Sequence, residues 1–352
     1  MTSRERVRAA FAHQRPEWTP CDYFGTPEIN NALFKRFGVS TIDDVRGCLG
    51  TDIRYIEPPY IGPKLPTFND GSTMDIWGVQ RRPMPNEYGE YAEPVNFPYA
   101  KWTAVEEAKK FKWPNSDWFD YSAIGAMCAK YPDLAVAAGS FGVQDFINGV
   151  AFGRGVEQVL LDIATKDAIY LYLVEKRHWF YMEYIERTLK AGKGKIDFVL
   201  CGDDFGSQRG ALISPTTFDN LFAPKKKEFF DMVHSFGAKI SHHSCGSTRQ
   251  LIPHFIKVGM DALQTIQPQA AGMNPYELKA EFGDKIVLHG AVDVQGWLQR
   301  ATVEEVKKEV NCLMDEVGKG GGYILAPCHN VQPDTPIENV LAVYQSVAKR
   351  RK

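Results

Sequence analysis

The chain has 352 residues, with 44% hydrophobic, 24% charged and 12% aromatic residues, and 41 Lys+Arg against 43 Asp+Glu leave a formal charge of −2. Such a composition supports a large buried core and excludes a disordered or fibrous chain. The near balance of charge gives no general attraction to nucleic acid or to an anionic membrane surface. No apolar run approaches the length that crosses a bilayer, and the opening MTSRERVRAAF carries charge where a signal peptide needs its apolar stretch. A cytoplasmic protein is expected, with a homodimer left open. Seven cysteines at 21, 48, 128, 201, 245, 312 and 328 are an odd count, and a reducing compartment would keep them as thiols.

Helical patterns over 4–12 and 27–37 come first; the second has Pro at its start and Gly38 at its end. Ile53–Ile56 reads as a short strand. The stretch 57–100 is dense in Pro, Gly and aromatics, and Trp77, Trp102, Trp113 and Trp118 gather in this third of the chain. They pack a loop-rich cap or line a flat pocket. Residues 1–120 therefore read as an elaboration on a larger body.

From about residue 133 short apolar runs recur at 134–139, 197–202, 238–243, 261–266, 285–290 and 322–327, separated by helical stretches such as 166–189 and 303–317. Strands apolar on both faces and alternating with helices make a parallel sheet covered by helices. The count approaches eight. A doubly wound sheet usually brings a Gly-rich first turn, and neither G-x-G-x-x-G nor G-x-x-x-x-G-K-[ST] occurs. The expected architecture is one α/β domain over 1–352, a (β/α)8 TIM barrel with its core in 121–352.

Barrel chemistry collects at the C-terminal strand ends. There the chain places Asp203 and Asp204, then His242, His243 and Cys245, then Gln267, then His289 and Asp293, then Cys328 and His329. His243-Ser244-Cys245 is the sharpest local signal, because alternate residues of an extended segment face the same way. An imidazole and a thiolate so aimed suit zinc, which keeps three protein ligands and one open position in catalytic sites. Cys328 is the expected third ligand. The bland alternative makes both cysteines small buried residues. Alternation turns His242 away from the site. His329 orients a ligand or touches substrate. Asp203 and Asp204 are candidates for acid–base work, a fourth ligand, or a loop cap; Asp293 reads as a turn cap and Cys201 as core.

GDDFGSQRGALISP (202–215), GAKISHHSCGS (237–247), KIVLHGAVDVQ (285–295) and GGYILAPCHNVQPDTPIENVLAVYQ (321–345) resemble the uroporphyrinogen decarboxylase superfamily. That resemblance implies a single barrel with an active-site cleft at the strand ends. True decarboxylases of this kind carry substrate-binding arginines in a P-x-W-x-M-R-Q-A-G-R segment; here RPEWTPCDYFGTPEINN has no arginine pair after Trp18. The cobalamin-dependent methyltransferase branch is marked by H-x-C plus a distant Cys, and His243, Cys245 and Cys328 fall on that pattern. The context P-C-H-N departs from the G-C-G of the coenzyme M enzymes. The resemblance implies Zn²⁺, a corrinoid-protein partner, and a thiol, folate, aryl methyl ether or methylamine as methyl acceptor or donor, demethylation included. A cofactor-free decarboxylase and a corrinoid-binding barrel without catalysis are the alternatives.

Overall fold

The computed structural model describes residues 1–85, 87 and 89–351. Ten strands form in chain order: β1 Ile53–Ile56, β2 Thr73–Met74, β3 Gln80–Pro85, β4 Glu90–Pro94, β5 Ala135–Gly139, β6 Phe198–Gly202, β7 Lys239–His243, β8 Ala262–Ile266, β9 Val287–Val292 and β10 Tyr323–Pro327. Seven make one curled parallel sheet in the order β1-β5-β6-β7-β8-β9-β10. Six coincide with the apolar runs after residue 133, and β1 with the short strand read at Ile53–Ile56.

The eighth place is filled by a segment the periodicity does not mark. Cys21 pairs in parallel with Leu325 of β10, and its carbonyl accepts the N–H of Asp52, just before β1, at 2.9 Å. This extended piece closes the barrel between the last strand and the first. It makes one bridge, too little for an apolar alternation to register.

Ser3–Phe11 forms a helix capped by Thr2, whose Oγ1 accepts Glu5 N–H while the Glu5 carboxylate accepts Thr2 N–H. Its Val7, Ala10 and Phe11 lie on one face and plug the N-terminal end of the barrel. There they meet inward residues of the strands, among them Ile53, Ala135, Phe198, Ala262, Val287 and Ile324. With that end filled by apolar side chains, the opposite end is left for chemistry.

The excursion between β1 and β5 carries the antiparallel sheet β2-β3-β4. The tryptophans of this excursion pack against neighbouring rings. Trp77 sits edge-on to Phe180 of the helix Ala168–Gly192 at 5.2 Å, Tyr99 pairs with Trp102 and Phe111 with Trp113, both at 4.8 Å. Among the described residues no helix is long and apolar enough to cross a membrane.

Candidate metal centre at the strand ends

Alternation along β7 sorts its two histidines. His242 points outward into a box made by Phe205, Phe230 and Phe255, with ring centroids at 5.9, 6.2 and 6.0 Å. Burial holds its pKa well below the usual imidazole range, and among the described residues neither ring nitrogen has a partner. It is a core residue. His243 points into the barrel mouth, where Phe141 packs on its ring at 4.5 Å. Its Nδ1 bonds Oε1 of Gln264, its register partner on β8. An amide oxygen only accepts, so Nδ1 carries the proton and Nε2 keeps the free lone pair.

The turn after β7 then folds back on that nitrogen. Ser244 N–H donates to the Gln264 carbonyl at 2.6 Å, Cys245 N–H to Asp204 Oδ1 at 2.7 Å, and Gly246 N–H to Gln267 Oε1 at 2.8 Å. Gly246 has φ +77°, and a Cβ there would meet the Gly206 backbone at 2.6 Å, so only glycine fits. Cys245 Sγ lies 3.2 Å from His243 Nε2. His329 joins from the loop after β10, and the donor atoms of His243, Cys245 and His329 all lie within 4.8 Å of one another.

Cys328 is not in that group. It is fully buried at the end of β10, its N–H bonded to the Val292 carbonyl at 2.8 Å, and burial pushes its thiol up to about 12. The residue after it, His329, supplies the donor in that group, while the Cys328 thiol lies near enough to act electrostatically on Cys245. The two aspartates also part company. Asp203 is 1% exposed and accepts the N–H groups of Phe146 and Ile147 at 3.1 and 2.9 Å, with Lys226 Nζ at 3.6 Å. It holds a loop together and does not face the cavity. Asp204 stands beside the donors, with Oδ1 3.6 Å from His243 Nε2 and Oδ2 accepting from Asn148 at 2.8 Å. Asp293 caps its turn through Gln295 N–H at 2.6 Å, and Cys201 is core.

Electrostatics at the donors favour a cation that the protein itself does not provide. Burial, then Asp204, pushes the Cys245 thiol far above its usual range, and burial with His243 nearby lowers His329 to about 4. Two imidazoles, one held to Gln264 through Nδ1, and a thiol that ionises only beside positive charge fit a divalent, N- and S-preferring metal such as zinc. A cavity of about 780 Å³ opens over Cys245 and His329, walled by Gln267, Gln295, Gln299 and Gln332 and overhung by Tyr91 and Glu87 of the β3–β4 hairpin. Gln264 and the hairpin residues were not singled out by sequence. A glutamine inside the otherwise apolar run 261–266 is the signal that marks Gln264; nothing local marks the hairpin.

Residues 134–350 match the family model described as uroporphyrinogen decarboxylase (URO-D). A uroporphyrinogen decarboxylase of Geotalea daltonii is 24% identical over 185 residues, 51% of this chain and 48% of that protein. The methylcobamide:CoM methyltransferase MtaA of Methanosarcina barkeri is 23% identical over 210 residues, 60% of this chain and 54% of that one. The chain spans about half the length of the curated relatives it matches. A solved methyltransferase from Methanosarcina mazei aligns over 100% of both chains with TM-score 0.64 and 16% identity, a likeness of fold.

Proposed function

The chain belongs to the uroporphyrinogen decarboxylase (URO-D) family, and within it we propose a zinc-dependent methyltransferase, one barrel domain that moves a methyl group between a corrinoid-carrying protein and a small acceptor or donor. The observation that carries this reading is the convergence of the donor atoms of His243, Cys245 and His329, of which Cys245 and His329 line an open cavity. These three residues would hold the metal. When bound, zinc supplies Lewis acidity at its open position, to keep a thiol as thiolate or to make a methoxy oxygen a better leaving group.

The chain's own residues do the rest. Gln264 fixes the His243 tautomer, Asp204 and Gln267 hold the Cys245-Gly246 backbone, and Phe141 covers the outer face of the His243 ring. The open side above Cys245 leaves room for a cobalt-bearing partner to approach. The name of the Methanosarcina barkeri relative, which acts on a methylcobamide, supports a corrinoid partner here. A decarboxylase acting on a polycarboxylate fits less well, because no Lys or Arg lines the cavity among the described residues. The test is metal analysis with a methylcobalamin assay on the same preparation. About one zinc per chain and thiol- or ether-dependent interconversion of methylcobalamin and cob(I)alamin are expected, both lost in Cys245→Ala. Full activity in a metal-free preparation would refute it.

A further inference from the structure

The barrel interior holds a histidine and an aspartate, His289 and Asp22, that stand outside the donor set. Ala262 and Val287 are register partners on β8 and β9, and both meet the apolar plug. Two residues on, Gln264 and His289 are register partners as well and face the same interior. Both are 0% exposed. Because β8 runs between β7 and β9, the Gln264 amide stands between His243 on one side and His289 on the other.

Gln264 Oε1 accepts from His243 Nδ1. Gln264 Nε2 and both ring nitrogens of His289 have no hydrogen-bond partner among the described residues. A buried polar group left unpaired costs about 1–3 kcal/mol, so three such atoms on adjacent side chains call for an account. The segment that closes the barrel supplies one. Asp22 is 0% exposed, accepts from Tyr55 O–H and Tyr23 N–H, and holds Oδ2 3.4 Å from His289 Nε2. A carboxylate only accepts, so the His289 ring hydrogen belongs on Nε2 and Nδ1 is left with a lone pair. That lone pair suits the Gln264 amide N–H. The two ends of a terminal amide have nearly the same shape, and the group can turn over in place. Reversed, it would offer His243 a donor, move the imidazole hydrogen to Nε2 and block the atom aimed at the metal.

Resting on the reading that His243 holds a metal, we propose that Asp22, His289 and Gln264 are positioning residues in one hydrogen-bonded line: His243 Nδ1–H donates to Gln264 Oε1, Gln264 Nε2–H to His289 Nδ1, and His289 Nε2–H to Asp22 Oδ2. The carboxylate thereby selects the tautomer of an imidazole two side chains away. Closing the two outer links takes side-chain movement alone, since the strand register already sets Gln264 beside His289.

Nitrogen-15 NMR of the full-length, metal-free protein, labelled at the histidine rings, distinguishes nitrogens that carry hydrogen from those that do not. His289 should carry hydrogen on Nε2 alone and His243 on Nδ1 alone. Asp22→Asn presents a donor in place of an acceptor, the change that selects the wrong tautomer in an Asp–His pair. It should move the His289 hydrogen to Nδ1 and the His243 hydrogen to Nε2, and lower zinc affinity about tenfold. Gln264→Leu already breaks the line, so adding Asp22→Asn to it should change affinity by less than about twofold.

Hydrogen on His289 Nδ1 in the parent protein, with or without one on Nε2, overturns the proposal. So does an Asp22→Asn protein whose His243 spectrum is unchanged, and so do affinity losses that add in the double variant. A protein with both tautomers and the coupled losses that transfers no methyl group would sink the methyl-transfer reading alone. One that takes up no zinc sinks that reading too, and the metal-free spectra still decide the line.

Discussion

His243 presents Nε2 to Cys245 Sγ because Gln264, its register partner one strand over, accepts the hydrogen bond from Nδ1–H. The ring is thus set for coordination before any ion arrives, a role that outer-sphere partners of ligating histidines commonly fill. Replacing Gln264 with Leu keeps the volume and removes the acceptor. Zinc affinity, measured by competition with a chromophoric chelator, should fall about 10–100-fold. Gln264→Glu retains an acceptor and should lose much less. Unchanged affinity in Gln264→Leu would show that the tautomer is set elsewhere.

The loop after β10 poses a choice between adjacent residues. His329 shares the donor cluster with His243 and Cys245, whereas Cys328 is buried behind it. His329→Ala should leave the fold intact and drop zinc occupancy well below about one per chain. Cys328→Ser should keep the metal and cost about 1–3 kcal/mol of stability, the ordinary penalty for a hydroxyl in an apolar site. Metal content by mass spectrometry of the two variants decides between them. The reverse pattern would restore Cys328 as the third ligand.

Seven of the barrel's eight strand positions were legible because each is an apolar run of parallel-sheet length between helices. The eighth was not, because the segment around Cys21 is held by a few backbone bonds, Pro20 and Asp22 to Leu325 and Cys21 to Asp52, rather than by a side-chain pattern. At the site, the two-residue period of β7 separated His243 from His242. Past the strand end that period stops: Cys328 and His329 follow β10, and which one faces inward depends on a local turn. Glu87 and Tyr91 reach the cavity from a hairpin more than 150 residues from Cys245, a juxtaposition only tertiary folding supplies.

Asp203 and Asp204 are neighbours with opposite expected phenotypes. Asp203→Ala frees two buried N–H groups and leaves Lys226, which is 1% exposed, with only the Gln144 and Gly202 carbonyls against its charge. It should lower the unfolding free energy by about 3–5 kcal/mol, the usual result of breaking a buried pair. Asp204→Ala removes the acceptor for Cys245 N–H and Asn148 at a partly open position. It should cost only about 1–2 kcal/mol while weakening zinc binding. Denaturant unfolding and zinc competition on both variants test the contrast; equal stability losses would contradict it.

Asp145 gives the fold a pH signature. Burial, then the adjacent Asp203, raises its carboxyl to about 8, and among the described residues its Oδ1 has no partner. In the unfolded chain the same group titrates near 3.9. Between about pH 4 and 8 the native state therefore holds a proton that the unfolded state has released, so stability falls as pH rises through that window and levels off above it. Asp145→Asn removes this dependence and can donate to Asp203. The variant should match the parent near pH 4 and gain about 1–2 kcal/mol by pH 8, a rise of roughly 1–3 °C in Tm for a chain of this size. Thermal unfolding at pH 4.5, 6 and 8 measures the trend. A gain that shrinks toward pH 8 would place the shared proton on another group.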